Sequence, residues 1–273
     1  MNIRFVLAVL ICTLCLGATG CEPFAKYERI VKFSGVAAND IRFVAETHNG
    51  SVTVNGIEGN VCVLTAVIVA RSDSVENAQK LAEQIDIKLV QSGTNIKVKI
   101  DKPLFIDEQY VSINLEVLLP IRVRLNLTTH NGTINITDII GEIKAVTHNG
   151  SINTKTTSGG MDLETHNGRI ECRQLIGDLR VETHNGSANI AFSEKAASVC
   201  NANISTYNGG ISVRFPPETS SILEASTHNG SIRTELDITM VGTISDNNIK
   251  GILGAGEGEI KLKTHNGSIR IRK

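Results

Sequence analysis

The chain reads as all-β: a single-stranded parallel β-solenoid (β-helix) with rungs of about 18 residues, preceded by a cap of strands and one helix. Three observations predict this. The tetrapeptide Thr-His-Asn-Gly occurs at 47–50, 129–132, 147–150, 165–168, 183–186, 227–230 and 264–267, and it holds all seven histidines. From 129 to 183 the copies recur every 18 residues, a spacing that belongs to stacked supersecondary units. Within each unit the apolar residues alternate, the period of a strand.

The N-terminus is set apart from the repeats. Arg4 precedes the apolar run Phe5–Ala18, which is short for a membrane span. Ala18-Thr19-Gly20-Cys21 has the form of a bacterial lipobox, so residues 1–20 read as a signal peptide and Cys21 as the lipidated first residue of the mature chain. Ordinary signal cleavage at the same small-residue site is the alternative. Residues 21–39 then serve as a lipid-anchored linker. Glu22, rather than Asp, favours the outer membrane where two membranes are present. Cys12 and Cys15 fall inside the leader; Cys62, Cys172 and Cys200 follow no disulfide spacing, and Cys172 stands at a core-facing position.

Residues 40–128 read as the N-terminal cap. Asp73-Ser74-Val75-Glu76 is a capping box, and Val75, Ala78, Leu81, Ala82 and Ile85 make one apolar helical stripe. Val61–Ala70, Ile85–Val90, Ile96–Ile100 and Val111–Leu119 read as strands. A cap is expected because an open rung invites edge-to-edge pairing.

Residues 129–273 form the solenoid of Thr-His-Asn-Gly rungs. Two and four residues before each Thr stand apolar residues (Ala145 and Ile143, Leu163 and Met161, Val181 and Leu179), and five and seven after it come others (Ile134 and Ile136, Ile170 and Cys172, Ile269 and Ile271). Each rung is therefore two short strands. One turn is Asn-Gly, where positive φ comes at little cost; the other holds Gly141, Gly159–Gly160 or Gly177. Thr206-Tyr207-Asn208-Gly209 fills one place, and Ser245-Asp246-Asn247-Asn248 is a candidate for another. Eight rungs would stack to roughly 34 Å at the usual strand spacing. Arg270, Arg272 and Lys273 put charge on the last strand, a protected edge.

The alternating strand, the helix with Ala78 and Leu81, the strand with Pro120 and the Thr-x-Asn-Gly-Ser-Ile rungs resemble the bacterial putative-adhesin family, domains of unknown function built as Gly-rich β-solenoids of the cell envelope. The resemblance covers about residues 40–273. It implies a β-solenoid and an envelope location, and it leaves the repeated His unexplained.

Function is read from what the scaffold displays. With Thr inward, the next residue points out, so stacking lines up His130, His148, His166 and His184, then Tyr207, His228 and His265. Neighbouring imidazoles one strand apart could ligate Zn or Cu; the alternative is a side-chain ladder copied with the rung. Either way, crowded imidazoles should weaken stability or alter association in mild acid. Asn131, Gly132, Asn149, Gly150, Asn167, Gly168, Asn185 and Gly186 read as a structural turn ladder.

A net charge of −1 gives no footprint for nucleic acid, and 4% aromatic residues disfavour a stacking platform. No Gly-x-Ser-x-Gly, His-Glu-x-x-His or phosphate loop is present, and Asp138 with Glu142 fits turn solvation better than paired catalysis. The expectation is a non-enzymatic lipoprotein of the bacterial cell envelope without a required cofactor, held by its N-terminal lipid and meeting an envelope protein or glycan through its solenoid.

Overall fold

Alternation of buried and exposed residues along nearly every strand builds the molecule. The computed structural model describes residues 6–11, 25–38, 40–103, 110–240 and 245–273. Cys21 and the lipobox lie outside the described residues. The chain divides into two compact units, Met1–Gly132 and Thr133–Lys273.

The first unit contains β1 (Val6–Ile11), β2 (Ala25–Val36), β3 (Ile41–Asn49), β4 (Val52–Ile57), β5 (Val61–Ser72), α1 (Val75–Glu83), β6 (Asp86–Ser92), β7 (Asn95–Asp101), β8 (Val111–Pro120) and β9 (Val123–Asn131). One sheet runs β1-β2-β5-β8-β4 and the other β9-β3-β7-β6. Helix α1 packs on β2 and β5 through buried Ala78 and Ala82. Its cap stands one residue later than the sequence suggests. Ser74 Oγ accepts from Asn77 N at 3.2 Å, while Asp73 accepts from the Asn77 side chain. The other end is closed by Arg29, whose Nη1 donates to the carbonyls of Ala82 and Ile85 at 3.1 and 2.7 Å.

The first Thr-His-Asn-Gly copy, inside the segment expected to be cap, forms part of a rung. Strand β3 pairs in parallel with β9, placing Thr47 beside Thr129 and Asn49 beside Asn131. The corner is covered by β8: Thr47 Oγ1 donates to Ile113 O at 3.1 Å, and Ser51 N donates to Asn114 Oδ1 at 2.9 Å.

The second unit contains β10 (Ile134–Ile140), β11 (Ile143–Asn149), β12 (Ile152–Ser158), β13 (Met161–Asn167), β14 (Ile170–Ile176), β15 (Leu179–Asn185), β16 (Ala188–Phe192), β17 (Ala202–Asn208), β18 (Ile211–Arg214), β19 (Ser221–Asn229), β20 (Ile232–Thr234), β21 (Thr239–Met240), β22 (Asn248–Leu253), β23 (Gly258–Asn266) and β24 (Ile269–Arg272). One sheet is parallel throughout, β10-β12-β14-β16-β18-β24-β20. The other runs β11-β13-β15-β17-β23-β19 in parallel and ends on antiparallel β22 and β21. This is the two-strand rung expected from the repeat. Between the sheets lie Ile134, Ile136, Leu163, Ile170, Cys172, Val181, Ile204, Val213, Leu262 and Ile271, all buried.

Three details differ from the sequence reading. First, the rungs do not stack in chain order. The last one, β23–β24, inserts between β17–β18 and β19–β20, so its strands are flanked on both sides. Arg270, Arg272 and Lys273 therefore do not guard an edge. Second, Ser245–Asn248 is no rung but a tight turn before β22, closed by the Ser245–Asn248 bridge. It covers the outer rung, with Asn247 O accepting from Thr227 N at 2.9 Å and Asp246 O accepting from Ile232 N at 2.8 Å. Third, Asp138, Thr156 and Gln174 have φ of 57°, 52° and 57°, so the second strand of each of these rungs kinks and turns Ile139, Thr157 and Leu175 inward. Apolar alternation alone did not show that third inward position.

Candidate functional site

The corner tetrapeptide gives each of its residues a different place. Threonine points inward: Thr129, Thr147, Thr165, Thr183, Thr206, Thr227 and Thr264 are buried. Six hydroxyls donate to a glycine carbonyl of the adjacent rung: Thr129, Thr165, Thr183, Thr206, Thr264 and Thr227 reach Gly50, Gly150, Gly168, Gly186, Gly209 and Gly267 at 2.7–3.1 Å. A buried hydroxyl left unpaired would cost far more than this bond contributes.

Glycine is required here by close approach rather than by positive φ. A Cβ on Gly168, Gly186, Gly209 or Gly267 would overlap the carbonyl oxygen of the neighbouring corner glycine. The opposite turn uses positive φ, as at Gly159 (125°) and Gly177 (120°), and so does the first corner at Gly50 (138°). The expectation of cheap positive φ thus holds for one turn and for Gly50, but not for Gly168, Gly186, Gly209 or Gly267. Asparagine forms an amide column within each unit. Asn131 Nδ2 donates to Asn49 Oδ1 at 2.7 Å in the first unit. In the second, Asn167 donates to Asn149, Asn185 to Asn167, Asn208 to Asn185, Asn266 to Asn208 and Asn229 to Asn266, all at 2.7–2.8 Å.

The histidines project outward and stack face to face. His48 lies on His130 in the first unit at 4.6 Å between centroids, a pairing the sequence reading missed because it placed residue 48 before the repeat proper. In the second unit the order is His148, His166, His184, Tyr207, His265, His228, with centroids 4.7–4.9 Å apart and planes within 18° of parallel. His265 therefore precedes His228, following the inserted last rung, and nothing from Asp246 interrupts the column.

This geometry stacks His130 on His48 in the first unit and, in the second, does not gather His148, His166 and His184 around a point. The nitrogen lone pairs of an imidazole lie in its ring plane, so parallel rings aim them side by side, whereas Zn²⁺ draws nitrogens together to about 2.0–2.1 Å. Among the described residues no group of three or more His, Cys, Asp or Glu is placed to hold a metal ion. The thiols are equally inert: burial pushes Cys62 up to about 11 and Cys172 up to about 12.

Beside the rings runs a polar strip on the outer face of the same sheet. Arg180 binds Asp162 at 2.8 Å and Glu182 at 2.7 Å, and the Asp162 carboxylate keeps its guanidinium more firmly protonated. Glu182, His184, Ser205, Tyr207, Lys263 and His265 line a shallow concavity of about 400 Å³ where the tyrosine breaks the histidine run. Glu182, Ser205 and Lys263 share one register position, immediately before Thr; in the sequence it is visible as Glu164 and Glu182 in two successive rungs, and its chemistry changes in the later ones.

A comparison with solved structures finds a putative cell adhesion protein from Clostridium sporogenes, 11% identical, covering 98% of this chain and 99% of that one with a TM-score of 0.38. A putative adhesin from Bacteroides fragilis is 10% identical over 89% of this chain and 96% of that one, TM-score 0.38. Another from Parabacteroides merdae is 8% identical over 93% and 98%, TM-score 0.31. Curated proteins yield no match. The family model described as Toastrack DUF4097 matches residues 30–272, which takes in the second half of β2 with its partner β5, the helix and every Thr-His-Asn-Gly corner. The chain belongs to the Toastrack DUF4097 family, the same domain-of-unknown-function family of β-solenoids that its repeats resemble.

Proposed function

We propose that this is a non-enzymatic, lipid-anchored protein of the bacterial cell envelope that binds a partner along the outer corner of its solenoid. The reading is carried by one observation: the side chains of successive rungs stand in register on the surface, with six rings in the second unit stacked 4.7–4.9 Å apart beside the asparagine column. An array of that kind offers a repeated set of hydrogen-bonding edges to an extended partner, an envelope glycan or protein, rather than a pocket to a small molecule. The small-residue site before Cys21 supports anchoring through lipid. No helix among the described residues is long and apolar enough to cross a membrane.

Two measurements test it. Palmitate labelling in a bacterial host should mark the wild type and vanish in Cys21→Ser; equal labelling overturns the anchor. Binding of the chain to isolated envelopes should weaken at least tenfold in a His184→Ala/Tyr207→Ala/His265→Ala variant whose circular dichroism is unchanged. Undiminished binding removes this face from the function.

A further inference from the structure

Strand β2 has twelve residues, no proline, and no residue at positive φ. On one side it pairs along its whole length with β5, from Ala25↔Ser72 to Val36↔Val61. On the other it carries only β1, antiparallel from Val6↔Ser34 to Ile11↔Arg29. Residues 6–11 belong to the leader whose removal is proposed above, and this inference rests on that reading. Cleavage before Cys21 strips β1 away and leaves a long, regular edge with its N–H and C=O groups unpaired. Such edges recruit strands unless bulges, proline or coverage prevent it. The pairing with β1 shows that this edge accepts an antiparallel strand.

We propose that in the mature protein the edge is taken by β2 of a second copy, giving a two-fold dimer with one sheet continuous across the interface. The choice of occupant comes from the strand's own sequence. In an antiparallel pair centred on Ile30, Glu28 faces Lys32 twice, Tyr27 faces Phe33 twice, and Lys26 faces Ser34. The faces also match: Tyr27, Val31 and Phe33 are buried on the side of α1, while Lys26 and Lys32 are exposed on the other. Neighbouring registers are worse: centring on Val31 sets Glu28 against Ser34 and Lys32 against Ile30, so both ion pairs are lost. Centring on Arg29 sets Lys26 against Lys32 and Arg29 against itself, and centring on Glu28 sets Glu28 against itself. A two-fold axis normal to the membrane lays both strands along it. Three residues separate Cys21 from Ala25, and the four Cα–Cα steps reach about 14 Å, so both anchors insert in one leaflet.

The test uses protein processed in a bacterial host and extracted in detergent, its N-terminus read by mass spectrometry. Ile30→Cys should give a disulfide-linked dimer on mild oxidation, because residues across a two-fold antiparallel pair lie about 4.5–5.5 Å apart at Cα. Ser34→Cys should stay unlinked. Lys32→Glu should weaken the dimer about tenfold or more by analytical ultracentrifugation, and Glu28→Lys/Lys32→Glu should restore it. A retained leader overturns the cleavage reading together with the dimer. A processed chain that stays monomeric, or that links through residue 30 to a different polypeptide, overturns the dimer alone.

Discussion

Alanine at Gly186 would set a methyl carbon on the Gly168 carbonyl oxygen, within the backbone stack itself. No side-chain rotation relieves that overlap, so Gly186→Ala is expected to cost about 3 kcal/mol or more in chemical denaturation. Gly93→Ala is the control: its Cβ would meet nothing, and only the φ of 61° is strained, for about 1–2 kcal/mol. Thr183→Val keeps the shape of a buried side chain but leaves the Gly168 carbonyl without its hydroxyl donor, for about 1–2 kcal/mol. The identity of the corner residues was legible in the sequence, since the tetrapeptide recurs. The reason for its glycine was not, because a Cβ–backbone overlap exists only once a second rung lies against the first.

The strands themselves follow from alternation, and Val61–Ser72, Asp86–Ser92, Asn95–Asp101 and Val111–Pro120 fall where apolar runs place them, within a few residues. Element ends and kinks were harder to read. Asp138, Thr156 and Gln174 share a left-handed backbone yet have no residue type in common, so nothing marks the site along the chain. A β-branched residue is the poorest occupant of that region. Exposed Thr156→Asn is therefore expected to raise the melting temperature, by roughly 0.5–1 kcal/mol of added stability, although it gives up the Thr156 Oγ1 to Gln174 bond of 3.1 Å. A lower melting temperature would show that the inter-rung bond outweighs the strain.

For the whole molecule, exposed ion pairs tie stability to acid. Lys99 and Lys88 hold Asp101, Lys250 holds Glu224 and Lys273 holds Asp237 below the usual range. A carboxyl lowered on folding contributes above its unfolded value and loses that contribution as pH falls through the folded one. The melting temperature is therefore expected to fall as pH drops below about 4, the ordinary carboxylate value, and Lys250→Met should make that fall shallower. Identical slopes for wild type and Lys250→Met in that range would refute the pair as a source.

By itself the sequence determined the two-strand rung, its alternating inward residues, the helix and the outward side of the histidines from His130 onward, because these depend on periods of 2, 3.6 and 18 that local chemistry writes along the chain. Only the tertiary structure decided which rung touches which. It placed β23–β24 inside β19–β20, put His265 next to Tyr207, and gave the Asp246–Asn247 turn the task of covering the outer rung. Parallel rungs of one repeat are interchangeable in their pairing chemistry, so their order is settled by how the whole stack buries its last edges. That is a property of the assembled sheets, and no single repeat contains it.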